Sequence, residues 1–227
     1  MYWEEDENQQ PAIAADIMVD VVFTIACKLL PQDHAHALAA QISELLPWLT
    51  EDTGSGVHTI HVAESGNGWQ RPGDMLHPSR RTKLILRVSK ERATASAALC
   101  GKNLDIAGHQ LLIKDLVDTR AMSTLTTLFS RYVVSPSGQD ESAFLDEAAR
   151  ALGELHIKPR KLLCGREQSL STGREKLITR SLMIADLEIN ESLTLQQRGL
   201  GSHRFMGCGL FIPHKSIHKV GADKEPA

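Results

Sequence analysis

Cysteine is sparse and scattered. Cys27, Cys100, Cys164 and Cys208 form no C-x-x-C pair. Neither a disulfide framework nor a thiolate zinc site is therefore expected, and a reducing cytoplasmic setting fits. No apolar run approaches the roughly 18 residues of a membrane helix, so no membrane partner is expected. The first residues are acidic and lack an apolar segment of their own, which excludes a signal peptide as the reading of this end. Basic residues do not dominate. The formal charge is −3 over 227 residues, so the chain is not a globally basic nucleic-acid binder. Aromatics make up only 4%, while 42% apolar residues are enough for a real core. No D-x-D pair or carboxylate cluster calls for a metal. A nucleotide cofactor is not expected either. There is no G-x-x-x-x-G-K-[ST] run, and the one glycine-rich segment closes a helix and opens a strand, whereas a dinucleotide fingerprint follows a strand and opens a helix.

The charge that is present is uneven. The first twenty residues carry Glu4, Glu5, Asp6, Glu7, Asp16 and Asp20 and no basic residue. Residues 156–219 carry eleven Lys and Arg against five acidic residues. A local basic surface steers polyanions even when the net charge is negative.

The hydrophobic pattern predicts two similar units. Residues 1–16 read as an acidic leader and 220–227 as a tail. In 17–116, a β-branched run (17–30) predicts a strand stopped by Pro31. Asp33 can cap a helix over 34–46 with Leu38, Ile42, Leu45 and Leu46 on one face. Strands follow at 56–63 and 81–88, with a polar loop (65–79) between them. A short helix (90–100) then precedes a strand over 103–115, bent at Gly108. In 120–219 the order recurs: strand 123–135, helix 140–155, strand 157–164, polar turn 165–176, strand 177–189, helix 190–200 capped by Asn190, strand 209–213. Two βαββαβ units in tandem predict an α+β chain of two ferredoxin-like (RRM-like) domains. The C-terminal domain ends in a glycine-rich loop.

That loop lies in QRGLGSHRFMGCGLFIPHK (197–215). Gly199, Gly201, Gly207 and Gly209 fall as G-x-G-x₅-G-x-G around His203 and Arg204. Glycines here can close the helix with positive φ and let a bulky polyanion approach bare backbone.

With that ending, the chain resembles the CRISPR-associated repeat-processing endoribonucleases, the sixth numbered Cas family of the RAMP superfamily. LPQDHAHAL (30–38), GVHTI (56–60) and ESLTLQQRGLGSHRFMGCGLFIP (191–213) resemble the branch named after the myxobacterial type I systems. The likeness runs over roughly residues 18–215. It implies metal-independent cleavage of CRISPR precursor RNA within the repeat, at the base of a stem-loop. It also implies retention of the 3′ hairpin of the mature guide, with other Cas proteins of a type I effector complex as partners.

The chemistry follows from RNA itself. The 2′-hydroxyl is the nucleophile. A metal-free ribonuclease then needs a base at that hydroxyl, an acid at the 5′ oxygen and cations around the phosphorane. The products would be a 2′,3′-cyclic phosphate and a 5′-hydroxyl. Histidine suits both proton transfers. The resemblance implies a histidine on or just before the first helix, which selects His34. His36, two residues on, faces another side of that helix and competes with it. His58 is the third candidate, with an interior sheet histidine as its alternative. His61, His77, His109, His156 and His218 read as surface or loop residues. The family often sets a tyrosine beside its histidine. Here only Tyr2 and Tyr132 exist, neither near His34 in sequence, so a catalytically silent hairpin-binding subunit stays open.

The candidate RNA contacts are Lys158, Arg160, Lys161, Arg166, Arg174 and Lys176 on the second domain's hairpin. Arg198, His203 and Arg204 flank the glycines, and Arg80 and Arg81 add to them. Trp69 either stacks on an unpaired base or anchors its own loop. An ordinary protein–protein module on the same fold, with the hairpin merely solvated, is the alternative of a different class.

Overall fold

The computed structural model describes residues 17–62, 75–135 and 140–214. The leader, the tail and Trp69 lie outside the described residues. The elements in chain order are β1 (Met18–Ala26), β2 (Leu30–Pro31), α1 (Ala35–Leu45), β3 (Gly56–Val57), β4 (Met75–Leu76), β5 (Lys83–Ser89), β6 (Asn103–Ile106) and β7 (His109–Ala121). The second half adds β8 (Leu128–Val134), α2 (Glu141–Glu154), β9 (Lys161–Ser171), β10 (Lys176–Ala185), α3 (Ile189–Arg198) and β11 (Ile212–Pro213).

The first sheet runs β3-β5-β1-β7-β6 and the second β11-β8-β10-β9. Each places the first strand of its unit centrally, between the third and the fourth, with the second strand outside the third. That is the ferredoxin-like order, so the chain is α+β with two such units in tandem. Central position explains β1: MVDVVFTIA is covered on both faces, and Val21, Val22 and Phe23 are fully buried. α2 shows the helical logic most plainly. Asp140 caps it by accepting the Ala143 N–H at 2.8 Å. Phe144, Ala148 and Leu152 then recur every fourth residue and fill the second core.

Several local expectations differ. Asp33 does not cap α1; His34 stands at the cap with no side-chain cap bond. Leu45 is 37% exposed, because only Leu38, Ile42 and Leu46 reach the core. The expected strand 56–63 pairs with β5 only at Gly56 and Val57. The 90–100 helix is two short 3₁₀ turns, 90–92 and 95–99. The 103–115 strand is a hairpin, turning at Ala107 (φ 52°) and Gly108 (φ 84°), with a second arm reaching Ala121. Strand β8 begins at Leu128 rather than 123. Most of the 165–176 "turn" is paired strand. β9 continues to Ser171, and only 172–175 turn. Glu188, not Asn190, caps α3, in a reciprocal capping box with Glu191. The last strand shortens to Ile212–Pro213.

The two units meet on a third apolar cluster. Ala35 and Ala39 of α1 pack against Leu170, Met206 and Cys208, with Tyr132, Val134, Leu177 and Phe205 beside them. Small residues on that face of α1 let the second unit come close.

Candidate active site

The site is built where the first turn of α1 meets the second unit. Asp33 accepts the Ser171 N–H, at 2.9 Å and 3.1 Å from its two oxygens, and so ties the turn before α1 to the end of β9. Three residues on, the His36 ring lies against Gly173. A Cβ there would sit 3.0 Å from His36 Cε1. His36 is exposed.

His34 points the other way and is 2% exposed. Its Nδ1–H is donated to the carbonyls of Pro31 (2.9 Å) and Gln32 (3.1 Å), and its Nε2 accepts the Ile60 N–H at 2.9 Å. Accepting at Nε2 makes the ring neutral. Burial also lowers its pKa, opposed by the two carbonyls and Asp33. Both nitrogens are thus occupied by backbone. His34 fastens the segment after β3 to the start of α1.

His58 lies in the boundary between the units. Its Nε2 is 3.6 Å from Asp20 Oδ1, too long for a hydrogen bond, and is buried without another partner. Burial holds its pKa down against the pull of Asp20. Asp20 itself is claimed by Arg87, a fully buried guanidinium. Nε and Nη2 donate to the two Asp20 oxygens at 2.8 and 2.9 Å. Nη1 crosses to the second unit, to the carbonyls of Gln196 (2.8 Å) and Phe211 (2.9 Å). Burial alone would raise the Asp20 pKa; Arg87 and His58 override it and hold the carboxyl well below the usual range.

The glycine loop divides into packed and open parts. Gly209 has φ +65°, and a Cβ on it would fall 1.9 Å from the Leu200 carbonyl oxygen, so no side chain fits. A Cβ on Gly207 would fall 2.9 Å from Thr59 Cγ2. The loop therefore lies directly on the segment that His34 fastens. A Cβ on Gly199 would overlap the Arg204 guanidinium. Arg204, expected to meet phosphates, is 8% exposed. It donates instead to four carbonyls, those of Gly54, Ser55, Gln197 and Arg198, joining the units. Burial and the Arg87 charge lower its pKa to about 10, leaving it cationic at neutral pH. What remains outward is Gly201, Ser202 and His203, with exposed Arg198 beside them.

The basic hairpin also separates. Arg160 pairs with Glu188 at 2.9 Å and Lys161 with Asp186 at 2.8 Å. The Lys158 N–H is donated to Glu191. These residues sit at the base. Arg174 and Lys176 sit at the tip, about 30 Å away along β9 at ~3.3 Å per residue. Arg166 lies between. Among the described residues no carboxylate pairs with Arg166, Arg174 or Lys176. Arg80 and Arg81 are exposed elsewhere, Arg80 on an open cleft of about 590 Å³ with Lys28, His109 and Lys114.

Two residues set aside by the sequence reading enter the site. His61 is exposed, and its ring stacks on Tyr132 with centroids 6.4 Å apart and planes 28° apart. Its Nε2 is 2.7 Å from Thr59 Oγ1. Desolvation by the surrounding protein lowers its pKa to about 3, helped by the nearby Arg131 guanidinium. Burial raises the Tyr132 pKa, which keeps the phenol protonated. A bulge explains how Arg131 and Tyr132 come to flank one ring. Arg180 pairs with Val133 but Leu182 with Ser130, so both residues oppose Ser181 alone. No spacing in the sequence announces positions 34, 61 and 132 as neighbours; only the sheet topology does. Cys208, at the same place, is no nucleophile, since burial pushes its thiol to about 12. Among the described residues no group of three metal-binding side chains occurs, and no helix is long and apolar enough to cross a membrane.

Comparison with known proteins agrees with this frame. Residues 19–216 match the family model described as Cas6 Crispr. The CRISPR-associated endonuclease Cas6 of Myxococcus xanthus is 31% identical over 197 residues, spanning 87% of this chain and 82% of that protein. A structure characterising a Cas6-related gene from Pyrococcus furiosus superposes with a TM-score of 0.58 at 12% identity, over 88% of this chain and 99% of that one. The CRISPR endoribonuclease Cse3 bound to a 19-nucleotide RNA gives 0.50 at 11% identity, over 86% and 97%. At such identities the two structures speak for the fold alone.

Proposed function

The chain belongs to the Cas6 family, and on that premise we propose that it cleaves CRISPR precursor RNA within the repeat without a metal. The RNA's own 2′-hydroxyl would attack, leaving a 2′,3′-cyclic phosphate and a 5′-hydroxyl. The observation that carries this reading is the docking of the α1 turn onto the second unit. It brings His36 to the tip of the β9–β10 hairpin, beside the unpaired cations Arg174 and Lys176, with the open glycine tip on the same unit. A polyanion needs cations there, and the phosphorane needs an imidazole within reach.

Of the three nominated histidines, His36 has the exposed ring and takes the proton-transfer role. The repeat stem would lie along Arg166, Arg174 and Lys176, with Arg198, Gly201 and His203 on its backbone. After the cut the 3′ hairpin would stay bound, as a subunit of a type I effector complex in the cytoplasm. A hairpin-binding subunit that does not cut is the second reading, favoured by the burial of His34 and His58.

The test is incubation of the purified protein with its own locus's repeat RNA in EDTA, with the product ends identified. A discrete cut leaving a cyclic phosphate supports the nuclease. Tight hairpin binding without a cut selects the second reading. Binding no tighter than to a scrambled hairpin rejects both.

A further inference from the structure

We propose that His61, braced on Tyr132, is a catalytic residue of the cleavage: the group that takes the proton from the attacking 2′-hydroxyl. The inference rests on the nuclease reading above. It arises from how much of the structure is spent on holding one exposed ring.

His61 stands on a segment with little pairing of its own, since β3 ends at Val57. Three contacts fix it instead. His34 Nε2 grips the Ile60 N–H at 2.9 Å. Gly207 packs on Thr59, where the space left by a missing Cβ is filled by the threonine. Tyr132, aimed by the bulge in β8, stacks on the imidazole. Two of these three supports come from the second unit. The ring is therefore placed only when the units are docked, at the boundary where the glycine loop lies. Fixing the geometry of a reacting group in this way is worth a large part of a barrier.

The ring's chemistry suits a base. Thr59 Oγ1 can accept the Nε2–H at 2.7 Å, which leaves the lone pair on Nδ1, and Nδ1 has no hydrogen-bond partner among the described residues. In the free protein desolvation, helped by the Arg131 charge, keeps the imidazole neutral, the form able to accept a proton. A seated phosphate brings negative charge beside Arg131. That offsets the cation and raises the proton affinity of the ring when substrate is present. Arg131 itself, held over the Phe129 ring with its guanidinium carbon 5.9 Å from the centroid, is exposed and faces the same phosphate.

The step balances without an outside reagent. The 2′ oxygen bonds to phosphorus as its proton passes to His61 Nδ1. The P–O5′ bond breaks, and the departing 5′ oxygen takes a proton from a water at the exposed site. His34, with both nitrogens bonded to backbone, is a positioning residue.

The experiment is single-turnover cleavage of the repeat RNA in EDTA by the protein and its His61→Ala and His61→Gln variants. Affinity is measured in parallel with a repeat carrying a 2′-deoxy nucleotide at the mapped cut. The expected result is that both His61 variants cut about a hundredfold more slowly or worse. Their affinity should stay within about twofold of the parent, and added imidazole should restore part of the His61→Ala rate. Parent-like cleavage by His61→Ala overturns the inference. So does a loss of rate matched by a loss of affinity with no rescue by imidazole, which would make His61 a binding contact. If the parent chain does not cut, the nuclease reading itself falls, and this inference with it.

Discussion

Replacing Asp20 by Asn tests how much stability rests on one buried charge pair, Asp20 with Arg87, whose guanidinium also reaches the second unit. The substitution keeps the shape and removes the charge that Arg87 faces. Arg87 is 0% exposed and would keep its bonds to the Gln196 and Phe211 carbonyls and one bond to the amide oxygen, but lose the opposing charge. Breaking a buried pair by removing one partner costs about 3–5 kcal/mol, because the remaining charge is left desolvated. At this chain length each 1 kcal/mol shifts Tm by about 2–4 °C, so a fall of about 6–20 °C is expected. Circular dichroism melts with urea titrations measure it. The double variant Asp20→Asn/Arg87→Met supplies the control. With both charges gone the desolvation penalty goes too, and much of the loss should return. The pH dependence has a definite sign. The folded state holds the Asp20 carboxyl below its unfolded value of about 3.9, so the contribution is complete above that pH and fades as acid approaches the folded value. The gap between parent and Asp20→Asn should therefore narrow below about pH 4. A Tm within 2 °C of the parent at pH 7, or a double variant less stable than either single one, would refute the reasoning.

Gly209→Ala should destabilise by at least about 2–3 kcal/mol, since a left-handed backbone and a backbone oxygen 1.9 Å from the new Cβ both oppose it. Gly201→Ala, at φ +76° but facing open space, should cost only about 1–2 kcal/mol by the same melts. Arg204→Met should lower stability by several kcal/mol through its four orphaned carbonyls while leaving the salt dependence of RNA binding unchanged. Arg174→Ala should do the reverse, keeping Tm and flattening the slope of log K against log salt by about 0.7–0.9. His34 and His58 are kept neutral by burial, whereas their unfolded counterparts protonate near 6.5. Stability should therefore fall as pH drops through about 6.5, by up to about 1.4 kcal/mol per pH unit for each ring, and His34→Gln should remove one share of that slope.

The order of elements was legible because each unit alternates period-two and helical patterns, and the Phe144, Ala148, Leu152 stripe is unmistakable. Boundaries were harder wherever tertiary pairing overrode polarity. GREQSLS looks like a loop, yet it is the outer strand of its sheet, where polar side chains meet solvent at no cost. Arg87 sits in an alternating run that reads as half-exposed, and nothing local says that its partners are Asp20 on β1 and two carbonyls over a hundred residues on. The site was legible in its neighbourhood and not in its members. The α1 turn and the glycine loop do meet. The ring nearest the expected position, His34, is consumed by three backbone contacts, and His61, in a segment with no periodicity, faces outward beside it.

The glycine motif shows why sequence signatures overstate direct contact with ligand. G-x-G-x₅-G-x-G is strict, and strictness invites the reading that each glycine touches substrate. Gly209 is needed because the Leu200 carbonyl occupies its Cβ site, and Gly199 because Arg204 occupies its own. Gly207 is needed because Thr59 does. All three requirements come from folding the loop back on itself and pressing it on the first unit. Arg204 runs through the same space to reach Gly54 and Ser55. The motif therefore encodes the docking of two domains, and the surface offered to RNA is the small remainder, Gly201 to His203. Docking and site assembly are one event, since the loop that joins the units also supports the segment carrying His61. A member of this family could then lose its chemistry by a change in that remainder while the motif, guarded by packing, stayed intact.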